Sequence, residues 1–88
     1  MKKIAVLISG QGSNLQAIIE ACQTDFIPGK IVTVISNKID SFGLERAKSA
    51  GIPSRVFLRQ DFSSNLAMDK AIGDYLDALN IDLIVLAG

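Results

Sequence analysis

The stretch that most constrains this chain is its opening, where the apolar run Ile4-Ala5-Val6-Leu7-Ile8 leads directly into Ser9-Gly10-Gln11-Gly12-Ser13-Asn14. A run this short and apolar, rich in β-branched residues, reads as a strand covered on both faces, as in a parallel sheet flanked by helices. Behind the glycines, Leu15, Ile18, Ile19 and Cys22 recur at i, i+3, i+4, i+7, which predicts an amphipathic helix over 13–24. Strand, tight turn and helix start in succession make an anion site. The first N–H groups of the helix lack intrahelical acceptors, and the macrodipole places partial positive charge there. Gly10 and Gly12 permit positive φ and close approach of a ligand. Ser13 and Asn14 add short hydrogen-bonding side chains suited to an N-cap. The expected occupant is a phosphate; a tight strand-to-helix turn with no ligand is the bland alternative.

The rest of the chain repeats the theme. Residues 31–35, Ile-Val-Thr-Val-Ile, are β-branched throughout and predict a second strand. A polar connector over 36–40 brings Asp40 and Ser41 to the start of a short helix over 42–50, as candidate N-caps. Gly51 suits the C′ position of that helix and Pro53 forbids its continuation. A short third strand at 55–58, near an edge, and a polar loop over 59–65 precede a third helix over 66–79. Met68, Ile72, Tyr75, Leu76 and Leu79 form its stripe, so Tyr75 reads as core. Gly73 inside it costs about 1 kcal/mol relative to Ala unless something packs closely against it. A fourth apolar strand occupies 82–87. The predicted fold class is therefore α/β, an open parallel sheet of four strands in the order 3-2-1-4 with three crossover helices, Rossmann-like. In such sheets ligands bind outside the carboxyl ends of the strands at the topological switch, here beside the first strand. An apolar fourth strand at an edge, in a chain of 88 residues, predicts further polypeptide to cover it.

Composition excludes several function classes. Apolar residues at 49% and charged residues at 20% fit a folded globular chain. Nine basic against nine acidic residues leave no net charge to draw nucleic acid or an anionic membrane. No segment reaches the length of a membrane span. With no histidine, a histidine base, a histidine nucleophile and a histidine-ligated metal are excluded within these residues, and no metal is expected. The single cysteine, Cys22, has no intrachain partner and is expected to be buried and inert. A cytoplasmic setting is the expectation.

The motif also narrows the ligand. A dinucleotide fold would place a third glycine where Leu15 stands and an acidic residue where Asn37 stands. No Gly-Lys-Ser/Thr follows the glycines, which excludes a Walker loop. The strand ends offer no acidic pocket of the phospho-acceptor type. What survives is a single phosphate, such as that of a sugar phosphate, held by backbone amides. Lys38, Asp40, Asp61, Asp69 and Lys70 read as solvated charges or caps.

Residues 6–19, Ser36-Asn37-Lys38, Gly43-Leu44-Glu45-Arg46-Ala47 and Asp82-Leu83-Ile84-Val85-Leu86-Ala87-Gly88 resemble the N-terminal portion of the phosphoribosylglycinamide formyltransferases, and the resemblance covers all 88 residues. Related formyltransferases acting on methionyl-tRNA, and formyltetrahydrofolate hydrolases, carry different loops after the first strand. The resemblance implies transfer of a formyl group from 10-formyltetrahydrofolate, a co-substrate, to the primary amine of glycinamide ribonucleotide in purine biosynthesis. Such a transfer passes through a tetrahedral intermediate that needs a proton shuttle and oxyanion stabilisation. By resemblance, Gly10, Gln11, Gly12, Ser13, Asn14 and Gly88 bind the substrate, with the phosphate on Gly12, Ser13 and Asn14. Leu86 and Ala87 begin the wall facing the folate. An arginine that the family often carries near the folate aligns with Asn65, which places Asn65 on the folate side in the same loop as Arg59. The family's catalytic asparagine, histidine and aspartate lie beyond Gly88. Residues 1–88 are thus expected to be the nucleotide- and phosphate-binding half of a formyltransferase domain, inactive alone. The expected partner is glycinamide ribonucleotide, with no nucleic acid and no membrane, and a homodimer stays open. A non-catalytic sugar-phosphate-binding module is the alternative. On the first of these readings, Gly12→Val is expected to weaken substrate binding without unfolding the domain.

Overall fold

A computed structural model describes residues 1–10 and 12–87. The apolar runs form four parallel strands, β1 (Lys2–Ile8), β2 (Gly29–Ser36), β3 (Ser54–Val56) and β4 (Leu83–Leu86), in the order β3-β2-β1-β4. Helices α1 (Ser13–Gln23), α2 (Phe42–Ser49) and α3 (Asn65–Ala78) carry the crossovers. This is the predicted topology. The first two crossovers step one way across the sheet and the third steps back past β1. With the handedness of β-α-β units constant, that reversal puts α1 and α2 on one face and α3 on the other.

The core divides accordingly. Ile4, Val6 and Ile8 of β1 pack with Leu15 and Ile19 of α1 and Ala47 of α2. Ala5, with half-buried Leu7 beside it, faces the other way, toward Leu76, Met68 and Ile72 of α3. Strict alternation along β2 would set Ile31, Thr33 and Ile35 on one face. The structure breaks that parity. Ile4 pairs with Ile31 but Ala5 pairs with Thr33, so a bulge at Val32 inserts one residue into β2. Ile31 and Val34 therefore share the α1 face, while Thr33 and Ile35 turn to α3. Thr33 is fully buried and its Oγ1 lies 2.8 Å from the Tyr75 hydroxyl on α3. Tyr75, read as core from its stripe position, is half-buried and packs against the core of the α3 face, where it also satisfies the strand's buried hydroxyl.

Helix ends follow their local chemistry. Gly51 takes φ 72° after α2, with its N–H on the Lys48 carbonyl and the Ile52 N–H on the Ala47 carbonyl, a Schellman closure. Asn80, at φ 56°, closes α3 in the same way onto Asp77 and Leu76, a stop the sequence reading did not mark. β3 is shorter than expected and begins one residue earlier. The segment read as a polar loop contains a single 3-10 turn, Arg59–Asp61. Phe57, just beyond β3, is buried against Phe62 and Tyr75, at ring-centroid distances of 6.3 and 5.9 Å. β4 lies on the outside of the sheet with Leu83 44%, Ile84 51% and Leu86 78% exposed, the uncovered apolar edge the sequence implied. Among the described residues no helix is long and apolar enough to cross a membrane.

Two stability tests follow from this packing. Beyond the local helix backbone and the adjoining residues, no atom lies within 4 Å of the place a Cβ would take on Gly73, so no close packing offsets the cost of that mid-helix glycine. Gly73→Ala is expected to stabilise the protein by about 0.5–1 kcal/mol in chemical denaturation, and a loss of stability would show that the position needs glycine. Tyr75→Phe strands the buried Thr33 hydroxyl and is expected to cost about 1–3 kcal/mol. Adding Thr33→Val should recover part of that loss, a coupling of about 1 kcal/mol in a double-mutant cycle; strict additivity would mean the pair does not interact.

Candidate active site

The site is built where β1 ends. Ser9 and Gly10 bend away from the strand and Gly12 sits at φ 76°, ψ 28°, the left-handed region, as the N-cap of α1. The intrahelical ladder begins with the Gln16 N–H on the Gly12 carbonyl at 3.0 Å. The N–H groups of residues 13–15 therefore have no acceptor within the helix. No acidic side chain stands in the first turn and no side chain caps it. The result, among the described residues, is a helix start with no acidic residue in its first turn, at the carboxyl edge of the central strand. Ser13 and Asn14 lie inside the helix at its first two positions, both exposed, so neither is the N-cap that their residue types suggested.

Gly12 is glycine for two separate reasons. Its φ is positive, and a Cβ placed on it would stand 2.6 Å from the Gly43 Cα of α2. The loop thus rests directly on the start of α2. The Gly10 carbonyl accepts a hydrogen bond from the Ser41 hydroxyl and another from the Gly43 N–H at 3.3 Å. Ser41 occupies the N-cap position of α2, as read from sequence, yet its hydroxyl does not cap that helix. It is buried and serves the glycine loop instead. Sequence reasoning missed this use of Ser41 and Gly43, because no local signal marks a contact across some thirty residues.

Beside the loop, on the α3 face, a cleft of about 330 Å³ opens at the carboxyl ends of β1 and β2; Leu7, Ser9, Asn37, Met68, Asp69 and Leu86 are among its walls. This is the topological switch where open α/β sheets bind ligands. A larger groove, of about 910 Å³, lies at the opposite end of the sheet and includes Lys3, Cys22, Gly29 and Pro53. Of the two, only the smaller lies at the carboxyl ends of the strands, with Ser9 at the start of the glycine loop in its wall. Cys22 is half-buried, not fully buried as expected, and desolvation raises its thiol pKa, which keeps it protonated and poorly nucleophilic at neutral pH.

The other expected residues divide. Leu86 is exposed and lines the cleft. The side chain of Ala87 is buried in the core, and its N–H donates to the Leu7 carbonyl at 2.9 Å, extending the sheet pairing. Asn65 opens α3, and its Oδ1 accepts from Arg59 Nε at 2.6 Å while Arg59 Nη1 donates to the Phe62 carbonyl at 2.8 Å. The two residues that shared a loop in sequence thus hold that loop together. Gln11 and Gly88 lie outside the described residues. Lys38, Asp40 and Asp61 are exposed, and Lys70 pairs with Asp74 along α3 at 3.1 Å. Among the described residues no three His, Cys, Asp or Glu side chains gather as a metal site would require.

Comparison with known proteins converges on one family. The formyl transferase family model matches residues 2–88. Phosphoribosylglycinamide formyltransferase of Haemophilus influenzae is 69% identical over 88 residues, which cover 100% of this chain and 42% of that protein. The Escherichia coli protein of the same name is 51% identical over 85 residues, covering 97% of this chain and 40% of that one. Among solved structures, glycinamide ribonucleotide transformylase 1 from Symbiobacterium toebii superposes with a TM-score of 0.96 at 44% identity, over 100% of this chain and 42% of its own. The chain thus spans about two fifths of the length of these relatives. With a whole-length family match and the fold in common, the chain belongs to the formyl transferase family.

Proposed function

We propose that this chain is the phosphate-holding part of a phosphoribosylglycinamide formyltransferase, which moves a formyl group from 10-formyltetrahydrofolate to the amine of glycinamide ribonucleotide. The observation that carries this reading is the 69% identity, across every residue, to a protein of that name. The relatives' names weigh against a non-catalytic sugar-phosphate module. In this reading the substrate phosphate sits on the N–H groups at the start of α1, at Gly12, Ser13 and Asn14, with Gly10 and Gln11 completing the loop. The charge is met by fixed backbone dipoles, which need no reorganisation on binding. Anchoring the phosphate at one end fixes where the amine can reach, which converts an encounter between two molecules into a positioned one.

The folate supplies the formyl group when bound. The apolar cleft, with Leu7, Phe57, Met68, Ile72 and Leu86 in its walls, fits an aromatic ring by size and lining. Asn65, held by Arg59, keeps the start of α3 in place on that side. The groups that move protons would stand on the part of the relatives' length that this chain does not span, since no histidine occurs here. A cytoplasmic setting completes the proposal, consistent with the free thiol of Cys22.

Two variants test the loop. Asn14 is exposed at the second helical position, so Asn14→Asp leaves the packing intact and adds a negative charge at the positive end of α1. Helix stability should hold or rise by about 0.3–1 kcal/mol. Affinity for glycinamide ribonucleotide, measured by titration calorimetry at low salt, should fall about tenfold or more through like-charge repulsion. Unchanged affinity would place the phosphate elsewhere. Gly12→Val, which sequence alone offers as a clean binding probe, is not one. A Cβ at that position meets the Gly43 backbone at 2.6 Å and demands positive φ of a β-branched residue. We expect it to destabilise the protein by about 2 kcal/mol or more in thermal denaturation; a wild-type melting curve would show that the loop yields freely.

A further inference from the structure

We infer that Gly43, on α2 and remote in sequence from the glycine loop, is a positioning residue that sets where the phosphate-binding N–H groups of that loop stand. This rests on the phosphate reading above. The argument begins with what glycine is doing at this position. Gly12 and Gly51 adopt positive φ, but Gly43 does not; it is the second residue of an ordinary α-helix, where glycine is the least favoured residue apart from proline. Its own backbone therefore gives no reason for it. Its surroundings do. A Cβ on Gly43 would collide with Ile8 Cδ1, and would lie 3.3 Å from the Gly12 Cα and 3.4 Å from the Gly10 carbonyl oxygen. Gly43 is buried, and its N–H donates to that same carbonyl.

Three contacts thus tie the loop to one point on α2: the bare Cα of Gly43 against Gly12, the Gly43 N–H on the Gly10 carbonyl, and the Ser41 hydroxyl on the same oxygen. Both donors draw the Gly10 carbonyl dipole toward α2. An oxygen held there is kept from turning its negative end on an anion at the start of α1. The two glycines are matched, because a side chain on either would open the gap between loop and helix. A shift of a few tenths of an ångström is enough to lengthen several N–H to phosphate bonds at once.

The test is a set of variants assayed for glycinamide ribonucleotide binding by calorimetry and for steady-state formyl transfer in the full-length protein. Gly43→Ala adds the methyl that presses on Gly12, and should raise Kd and KM for glycinamide ribonucleotide about five- to tenfold while kcat stays within about twofold. Ile8→Val combined with Gly43→Ala removes the Cδ1 overlap and leaves the pressure on Gly12, so stability should return while KM stays raised. Ala47→Gly, a buried change one turn further along α2, should lower stability and leave KM alone. An unchanged KM in Gly43→Ala would overturn the inference. Recovery of KM in the Ile8→Val, Gly43→Ala double variant would overturn it as well, because the effect would then run through core packing. Failure of the wild-type protein to bind glycinamide ribonucleotide would instead sink the phosphate reading, and this inference with it.

Discussion

The pairing of β1 on both of its edges is the constraint on which the site depends. β1 is hydrogen-bonded to β2 on one side and β4 on the other, and its side chains are covered by α1 and α2 on one face and α3 on the second. A strand held on four sides cannot slide or tilt without breaking a whole register. Whatever leaves its carboxyl end is therefore aimed. The glycine loop leaves there, and the Ala87 N–H on the Leu7 carbonyl keeps the end of β4 beside it. The cleft between these strand ends and α3 inherits the same rigidity.

The loop itself is short of internal support. Among the described residues no side chain caps α1, and the loop's glycines carry the largest conformational freedom to lose. α2 supplies what is missing. The Ser41 hydroxyl and the Gly43 N–H both bond the Gly10 carbonyl, and the absence of side chains at Gly12 and Gly43 lets the two helix starts touch. A buried Ser41 that bonds a distant carbonyl in place of capping its own helix trades local stability for placement of the loop. Functional sites are where local rules are expected to be broken for a gain elsewhere.

Much of this was legible from residue order. Continuous apolarity in Ile4-Ala5-Val6-Leu7-Ile8 marked a doubly covered strand, and the glycines after it marked a tight turn into a helix. Gly51 marked a helix stop. These signals are local: each depends on a few adjacent residues and on backbone preferences that any chain of that composition shares. The sequence pattern erred where a second element decided the outcome. Ser13 and Asn14 have the chemistry of N-caps, but the left-handed Gly12 took that position. Asn65 and Arg59 were neighbours in a loop, and only the fold of that loop joined them at 2.6 Å.

By itself, then, the sequence determined the element types, the strand order, the place of the glycine turn and the family resemblance, since all of these rest on periodicity, turn chemistry and motif. Tertiary structure alone decided three things. The bulge at Val32 reversed the facing of β2, so that Thr33 met Tyr75. Gly43 became the rest for Gly12. Of the two hollows, the smaller lies where loop, strand ends and α3 converge. The physical reason is common to all three. Each depends on distances between residues far apart in the chain, and those distances exist only once the two sides of β1 have been packed.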